Sequence, residues 1–535
     1  MTRMSIIGAG AAGVLALALL CACGTSGKGD TDTSATSDTC AGITNAPAPH
    51  GNPAGYRVHS LTADSLMATQ VKLNGLSLDT SSVSAISTSA LAIVNATDAP
   101  TTVAETPGAA ADLFIDYTAP ARQVPDTFYG LDLQWKSKYF LNMANYRELV
   151  KNIHVDILRF PGGQERVRFD RQARTSPGDE LGTPDQPYQF VLTGEDVRNY
   201  IDLCRELGIA AEPEVNLYVD DSAMAANLID QIVNELGYDL KYVSVGNEPE
   251  VNNASGWTYL HATSVPEALA SYMDRYLRYS AAIAKVKPGL TYALAETGDW
   301  DTGLSTNLDR FLSPLGANRP GAFSVHWYPL GDWGQATSDP AYPSLSHLVI
   351  HNNARHEIAY LATVAATVKA KLAQYHLDGT KLFMGEWGVA WSGTQATGQV
   401  QDIMATAIFV AEVTEFCKTL GFDSIEYFSL SDPANFAPWV PALIAVSGDQ
   451  VSVRAQYYVY LMYKYFYGDE IVSVPGGQND DWSIYASKDT ASSHLMLINR
   501  TACKTITKTV DVTTAAGKRQ LRLTLYPHSV SIVSF

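Results

Sequence analysis

Cysteine is scarce in this chain, with six residues in 535. Cys40, Cys204, Cys417 and Cys503 are scattered and no Cys-x-x-Cys occurs. That excludes a disulfide-built scaffold and any zinc cluster held by cysteines. Cys204 and Cys417 fall in apolar helical patterns and are expected to be inert buried thiols. Positive charge is also in short supply: 37 Lys and Arg stand against 55 Asp and Glu, a formal charge of −18. With no basic stripe, nucleic acid is excluded as a partner. Histidines and carboxylates with metal-ligand spacing are missing, as is any nucleotide motif, so no metal or other cofactor is expected. What is present is globular: 46% hydrophobic and 17% charged residues, in a chain too long for one ordinary domain.

The N-terminus reads as a targeting segment. Arg3 gives a positive start, and the apolar run Ile6 to Leu20 falls short of the ~20 residues a spanning helix needs. It then reads LCACG over residues 20–24. This resembles a bacterial lipobox, in which a small residue precedes a lipidated cysteine. Cys23, preceded by Ala22, fits that place better than Cys21, preceded by Leu20. The expectation is an extracytoplasmic protein, either a bacterial cell-surface lipoprotein held by lipid at Cys23 or a secreted one. An uncleaved membrane anchor ranks third.

Residues 24–55 are rich in Gly, Ser, Thr, Asp, Pro and Ala and read as a flexible linker. Residues 56–110 form a β-rich N-terminal segment without clear assignment. From Thr127 an alternation begins. Strand candidates end at Trp135, Phe160, Asn216, Asn247, Ala295, His326, Glu386 and Ser429, with helical patterns between them. Residues 193–208 open on a threonine cap and close on glycine; Pro266 to Lys285 and Ala354 to Tyr375 are amphipathic. Eight such strands predict an α/β fold, a (β/α)8 TIM barrel over residues 111–468. After an aromatic helix from Arg454 to Tyr467, short alternating strands predict a small all-β sandwich over residues 469–535. It is small enough to need the strand around Ile115 to complete it.

Two strands end in glutamate: KYVSVGNEPE over residues 241–250 and KLFMGEWG over residues 381–388. Chemistry in such a barrel sits at strand C-termini. Glu248 on the fourth strand and Glu386 on the seventh would face each other across the mouth, and two facing carboxylates are the equipment for cleaving a glycosidic bond. Glu212, Glu214 and Glu296 also lie near strand ends, as rival carboxylates suited to substrate contacts or barrel salt bridges.

Here the chain resembles the clan A glycoside hydrolases. The matching residues are Gly246-Asn247-Glu248-Pro249 and Gly385-Glu386-Trp387-Gly388. LRFPGG over residues 158–163 is similar to families 79 (heparanase-like and β-glucuronidase enzymes) and 51 (α-L-arabinofuranosidases), and VHWY over residues 325–328 matches another clan A position. The resemblance implies Glu386 as nucleophile and Glu248 as general acid/base. It implies an oligo- or polysaccharide substrate bound by Arg159, Asn247, His326, Tyr328, Trp387 and Asn216. Arg159 would hold a positive charge beside Glu386 and keep its pKa low, and Tyr328 would donate to the same carboxylate. Asn247 would reach a sugar hydroxyl, and Trp387, Trp327 and Trp257 would offer flat faces to sugar rings. Where many clan A enzymes have histidine on strand three and tryptophan on strand eight, this chain has Asn216 and the run Tyr427-Phe428-Ser429. Two other readings stand beside hydrolysis: a non-catalytic carbohydrate-binding surface lipoprotein on the same barrel, and a surface adhesion or scaffolding protein.

Overall fold

The computed structural model describes residues 55–62, 101–162, 167–173, 190–251, 256–297, 304–316, 318–329, 358–389, 404–433, 442–501 and 504–535. The expected leader with Cys23, the linker and most of the 56–110 segment lie outside the described residues.

Eight strands alternate with helices: β1 Tyr129–Leu133, β2 Ile157–Phe160, β3 Ala210–Val215, β4 Tyr242–Val245, β5 Thr291–Thr297, β6 Ala322–Trp327, β7 Lys381–Trp387 and β8 Ser424–Pro433. Each pairs in parallel with the next, and β8 pairs in parallel with β1, which closes the barrel. The expected strand ends fall at these strands. Two differences are local: Trp135 opens a 3-10 turn, Trp135–Tyr139, and β8 runs on past Ser429 to Pro433. The near-continuous apolar runs form strands because both faces are covered, the inner by the barrel interior and the outer by helices. The helix Gly194–Leu207 starts on the expected threonine: Thr193 Oγ1 accepts from Asp196 N, and Asp196 returns the bond to the Thr193 backbone. It stops at Gly208, which takes a left-handed φ of 69°.

The barrel interior is filled largely by polar groups. Asp132, Arg159, Glu212, Glu214, Ser244, Ser324 and Glu426 are all buried. Ser244 Oγ donates to Glu212 at 2.7 Å and Ser424 Oγ to Glu426 at 3.0 Å. Gly130 faces the same interior, where a Cβ would come 2.3 Å from Glu426 Cγ.

The β-module is built from both ends of the described chain. One sheet runs in the order Arg57–Thr62, Ser529–Ser534, Ser493–Asn499, Trp482–Lys488, Glu470–Val472, Arg122–Gln123. The other runs Thr102–Glu105, Gly517–Leu525, Ile506–Thr514, Leu113–Asp116. Ile115 does lie in a strand of this module, paired with Val512. Four strands before the barrel therefore share sheets with the chain's last segment, and Ile115, Val510, Leu521, Leu523 and Val533 share one apolar core. Without these strands, Ser529–Ser534 and Gly517–Leu525 would be bare edges.

Barrel and module meet along the helix Met404–Leu420. Buried Glu412 accepts from Tyr485 Oη at 2.9 Å and pairs with Arg500. One turn on, Glu415 pairs with buried Lys418 at 2.6 Å, and the ammonium sits 4.3–4.9 Å from the ring centres of Tyr463, Tyr467 and Tyr129.

Candidate active site

Glu248 reaches the mouth through an unusual backbone. Gly246, just past β4, has φ 76°, where its Cβ position meets Tyr272 and Leu217, and Glu248 itself has φ 40°. A glutamate in the left-handed region is uncommon and is held there by its surroundings. Glu386 is the penultimate residue of β7, level with His326 on β6. One carboxylate oxygen of each glutamate and one nitrogen of His326 all lie within 4.8 Å of each other.

Each carboxylate has its own partners. His326 Nδ1 lies 2.8 Å from Glu248 Oε1 and 3.8 Å from Glu386 Oε2. Tyr328 Oη donates to Glu386 Oε1 at 2.5 Å. Arg159, fully buried on β2, places Nη1 3.3 Å from Glu386 Oε2 and 3.1 Å from the Gly385 carbonyl. Its Nη2 lies 2.8 Å from Glu214 and donates to Asn247 Oδ1 at 2.8 Å. That bond holds the Asn247 side chain and leaves its Nδ2 group as the remaining donor. Asn216, buried just past β3, accepts from Tyr218 N at 2.8 Å, and Tyr218 Oη donates to the Asn247 carbonyl at 3.1 Å. A histidine and two carboxylates this close could draw a cation. The guanidinium beside Glu386 already supplies that charge, and the imidazole is engaged by Glu248, so the arrangement reads as a carboxylate pair with its orienting groups.

Electrostatics depart from expectation at Glu386. Burial raises its pKa above the ordinary carboxylate value, and the charge of Glu248 adds to this. His326, Arg159 and the Tyr328 hydrogen bond oppose the rise without cancelling it. The sequence-based expectation that Arg159 keeps this pKa low, with Tyr328 donating to the same carboxylate, thus omitted the cost of burial.

The structure corrects the aromatic platform. Trp387 is completely buried, its ring 5.0 Å from Tyr427 and 5.8 Å from Phe409. Trp327 is nearly so, stacked on Phe409. Alternation along β6 and β7 sends His326 and Glu386 inward and the following tryptophans outward under the helices. Trp257, half-buried in the short helix Gly256–Tyr259, keeps some exposure. Of the rival carboxylates, Glu212 and Glu214 are bonded inside the barrel as described, and the Glu296 side chain lies outside the described residues. Asp132 on β1 went unnoticed in the sequence, although it sits 3.5 Å from Arg159. Its signal was the alternation Gly130, Asp132 on a strand otherwise apolar. Gly162 is also explained here: a Cβ would come 2.0 Å from Asp132 Oδ1, so the glycine is needed for close approach and has no positive φ.

A closed (β/α)8 barrel with two carboxylates meeting at the ends of strands four and seven, beside a β-module, is the fold of the clan A glycoside hydrolases. No protein-family model and no curated protein matches the sequence. Solved structures do. The arabinose complex of an α-L-arabinofuranosidase from Thermotoga maritima aligns with a TM-score of 0.58 at 15% identity, covering 80% of this chain and 100% of that one. A family 51 arabinofuranosidase from Xanthomonas axonopodis pv. citri gives 0.56 at 15% identity, covering 79% and 100%. A family 44 xyloglucanase from Paenibacillus polymyxa with xyloglucan gives 0.54 at 13%, covering 79% and 98%. At such identities the likeness establishes the shared fold.

Proposed function

We propose that this protein is a retaining O-glycoside hydrolase acting on an oligo- or polysaccharide. The observation that carries the reading is the approach of Glu248 and Glu386 to within 4.8 Å, oxygen to oxygen. That is the spacing of a double displacement, since an inverting pair stands roughly 6.5–9.5 Å apart to admit water.

In the first step Glu386 Oε attacks the anomeric carbon while the glycosidic C–O bond breaks, and Glu248 gives its proton to the departing oxygen. The sugar is then an ester of Glu386. In the second step Glu248 takes a proton from water, the hydroxide oxygen bonds the anomeric carbon, and Glu386 leaves as carboxylate. Two inversions give net retention. Arg159 and Tyr328 favour the carboxylate form of Glu386 at the start and end of the cycle. His326 holds Glu248 in line, and the Asn247 amide is placed for a sugar hydroxyl. The first sugars to test follow from the structural neighbours, arabinofuranosides and xyloglucan, and from the LRFPGG resemblance, which adds glucuronides. The N-terminal pattern supports a secreted protein anchored by lipid at Cys23, so Cys23→Ala should move it from the membrane fraction to the medium.

The test is a panel of aryl arabinofuranosides, xylosides, glucosides and glucuronides, with the anomer of the first product read by NMR. Turnover with retention supports the proposal. Inversion would overturn the mechanism, and sugar binding without turnover of any member would leave a carbohydrate-binding protein instead. Dialysis against a chelator should leave turnover unchanged.

A further inference from the structure

Three carboxyl groups converge on one guanidinium. Arg159 meets Glu214 at 2.8 Å, Glu386 at 3.3 Å and Asp132 at 3.5 Å. Charge-assisted contacts normally measure about 2.7–2.9 Å, and of the three only the Glu214 ion pair is that short. Glu386 has Tyr328 as a second donor. Asp132 has nothing better: both its oxygens lie 3.5 Å from the same Nη1, and its side chain is 0% exposed. An ionised carboxylate in that position would lack water, a short bond and a cation of its own. We propose that Asp132 is a neutral carboxylic acid in the resting enzyme, a positioning residue that packs under Arg159 without drawing its charge from Glu214 and Glu386.

The surroundings agree from every strand packed against it. β2 contributes Arg159, β3 Glu214, β6 His326 and β7 Glu386. The nearest acids on β8 are otherwise engaged, Glu426 with Ser424 and Asp432 with Arg454. The ionisable groups that face Asp132 are thus acids except for one fixed cation, one imidazole and the Tyr328 phenol. Gly162 closes over Asp132 on the remaining side, where even a Cβ has no room. Burial pushes the Asp132 carboxyl well above the ordinary range; Arg159 and His326 pull it down without cancelling that rise, and the charges of Glu386 and Glu214 add to it. A proton held here leaves Arg159 to the acids that stay ionised.

This rests on the reading of Glu386 and Arg159 as site residues, but its test uses no substrate, so a failed hydrolysis screen leaves it readable. A group held neutral in the fold but ionised in the unfolded chain releases a proton on unfolding. Its contribution to stability is complete below the unfolded aspartate pKa of about 3.9 and is lost as pH rises toward the folded value. Relative to Asp132→Asn, the unfolding constant of the wild-type chain should therefore climb about tenfold per pH unit above roughly pH 5. Parallel pH dependences of the two proteins would overturn the proposal. The second measurement is infrared spectroscopy of the wild-type chain carrying carboxyl-13C aspartate. A protonated-carboxyl band that shifts with the label at pH 7 and vanishes in Asp132→Asn is expected. Should the amide variant not fold, Asp132→Ser serves for the assignment. No such band at pH 7, or a band that survives the substitution, would overturn it.

Discussion

His326 and Glu248 are joined at 2.8 Å through Nδ1 and Oε1, although 78 residues separate them. The imidazole is fully buried on β6, whereas the glutamate follows β4 on a left-handed backbone and is partly exposed. A rigid strand residue therefore aims a carboxylate whose own backbone does not fix it, and the same nitrogen lies 3.8 Å from Glu386. The imidazole spans the pair.

The roles of the pair separate by leaving group. Glu386→Ala should abolish turnover on every substrate. Glu248→Ala should lose about 10²–10⁴-fold where the leaving group needs a proton, and little with activated aryl glycosides. Azide should then restore turnover of the Glu248 variant as a glycosyl azide of retained configuration. Equal losses without rescue would contradict the assignment.

The acidic limb of kcat/KM should report Glu386. Turnover requires its ionised form, so raising its pKa moves the limb to higher pH. Tyr328→Phe removes a bond to a charged group worth about 1.5–3 kcal/mol, or roughly one pKa unit or more. Arg159→Met should shift the limb in the same direction. An unmoved limb in folded Arg159→Met would make that residue purely structural.

At the barrel–module junction, Arg500→Met strands Glu412 in a buried site. Losing one member of a buried pair costs about 3–5 kcal/mol. Urea unfolding of the variant should show that loss, and Glu412→Gln added to it should recover most. A single variant as stable as the parent would show the junction to be hydrated.

Truncations should locate the start of the folded body. A chain beginning at Gly55 retains the edge strands Arg57–Thr62 and Thr102–Glu105, and should melt like the full chain in calorimetry. One beginning at Ala111 strips both, and should melt at lower temperature. Equal melting of the two chains would show that Arg57–Thr62 and Thr102–Glu105 add nothing to the stability of the module.

What the sequence determined by itself is local or periodic. Buried parallel strands announce themselves as apolar runs, the Thr193 cap and Gly208 stop mark a helix, and the glutamates ending the fourth and seventh strands follow from counting. Right-handed crossovers favour pairing each parallel strand with the next, and the pairing of β8 with β1 closes the barrel in the structure. The rest depended on which residues close that barrel from a distance. The face to which Trp387 turns is set by strand register and by the helix carrying Phe409. The partners of Arg159 come from β1, β3 and β7 at once, and the balance of burial against charge at Glu386 exists only when they meet. The module's sheets join residues more than 400 positions apart, as in Arg57 beside Ser534, and no local pattern encodes such a pairing because either edge could accept any strand of matching alternation.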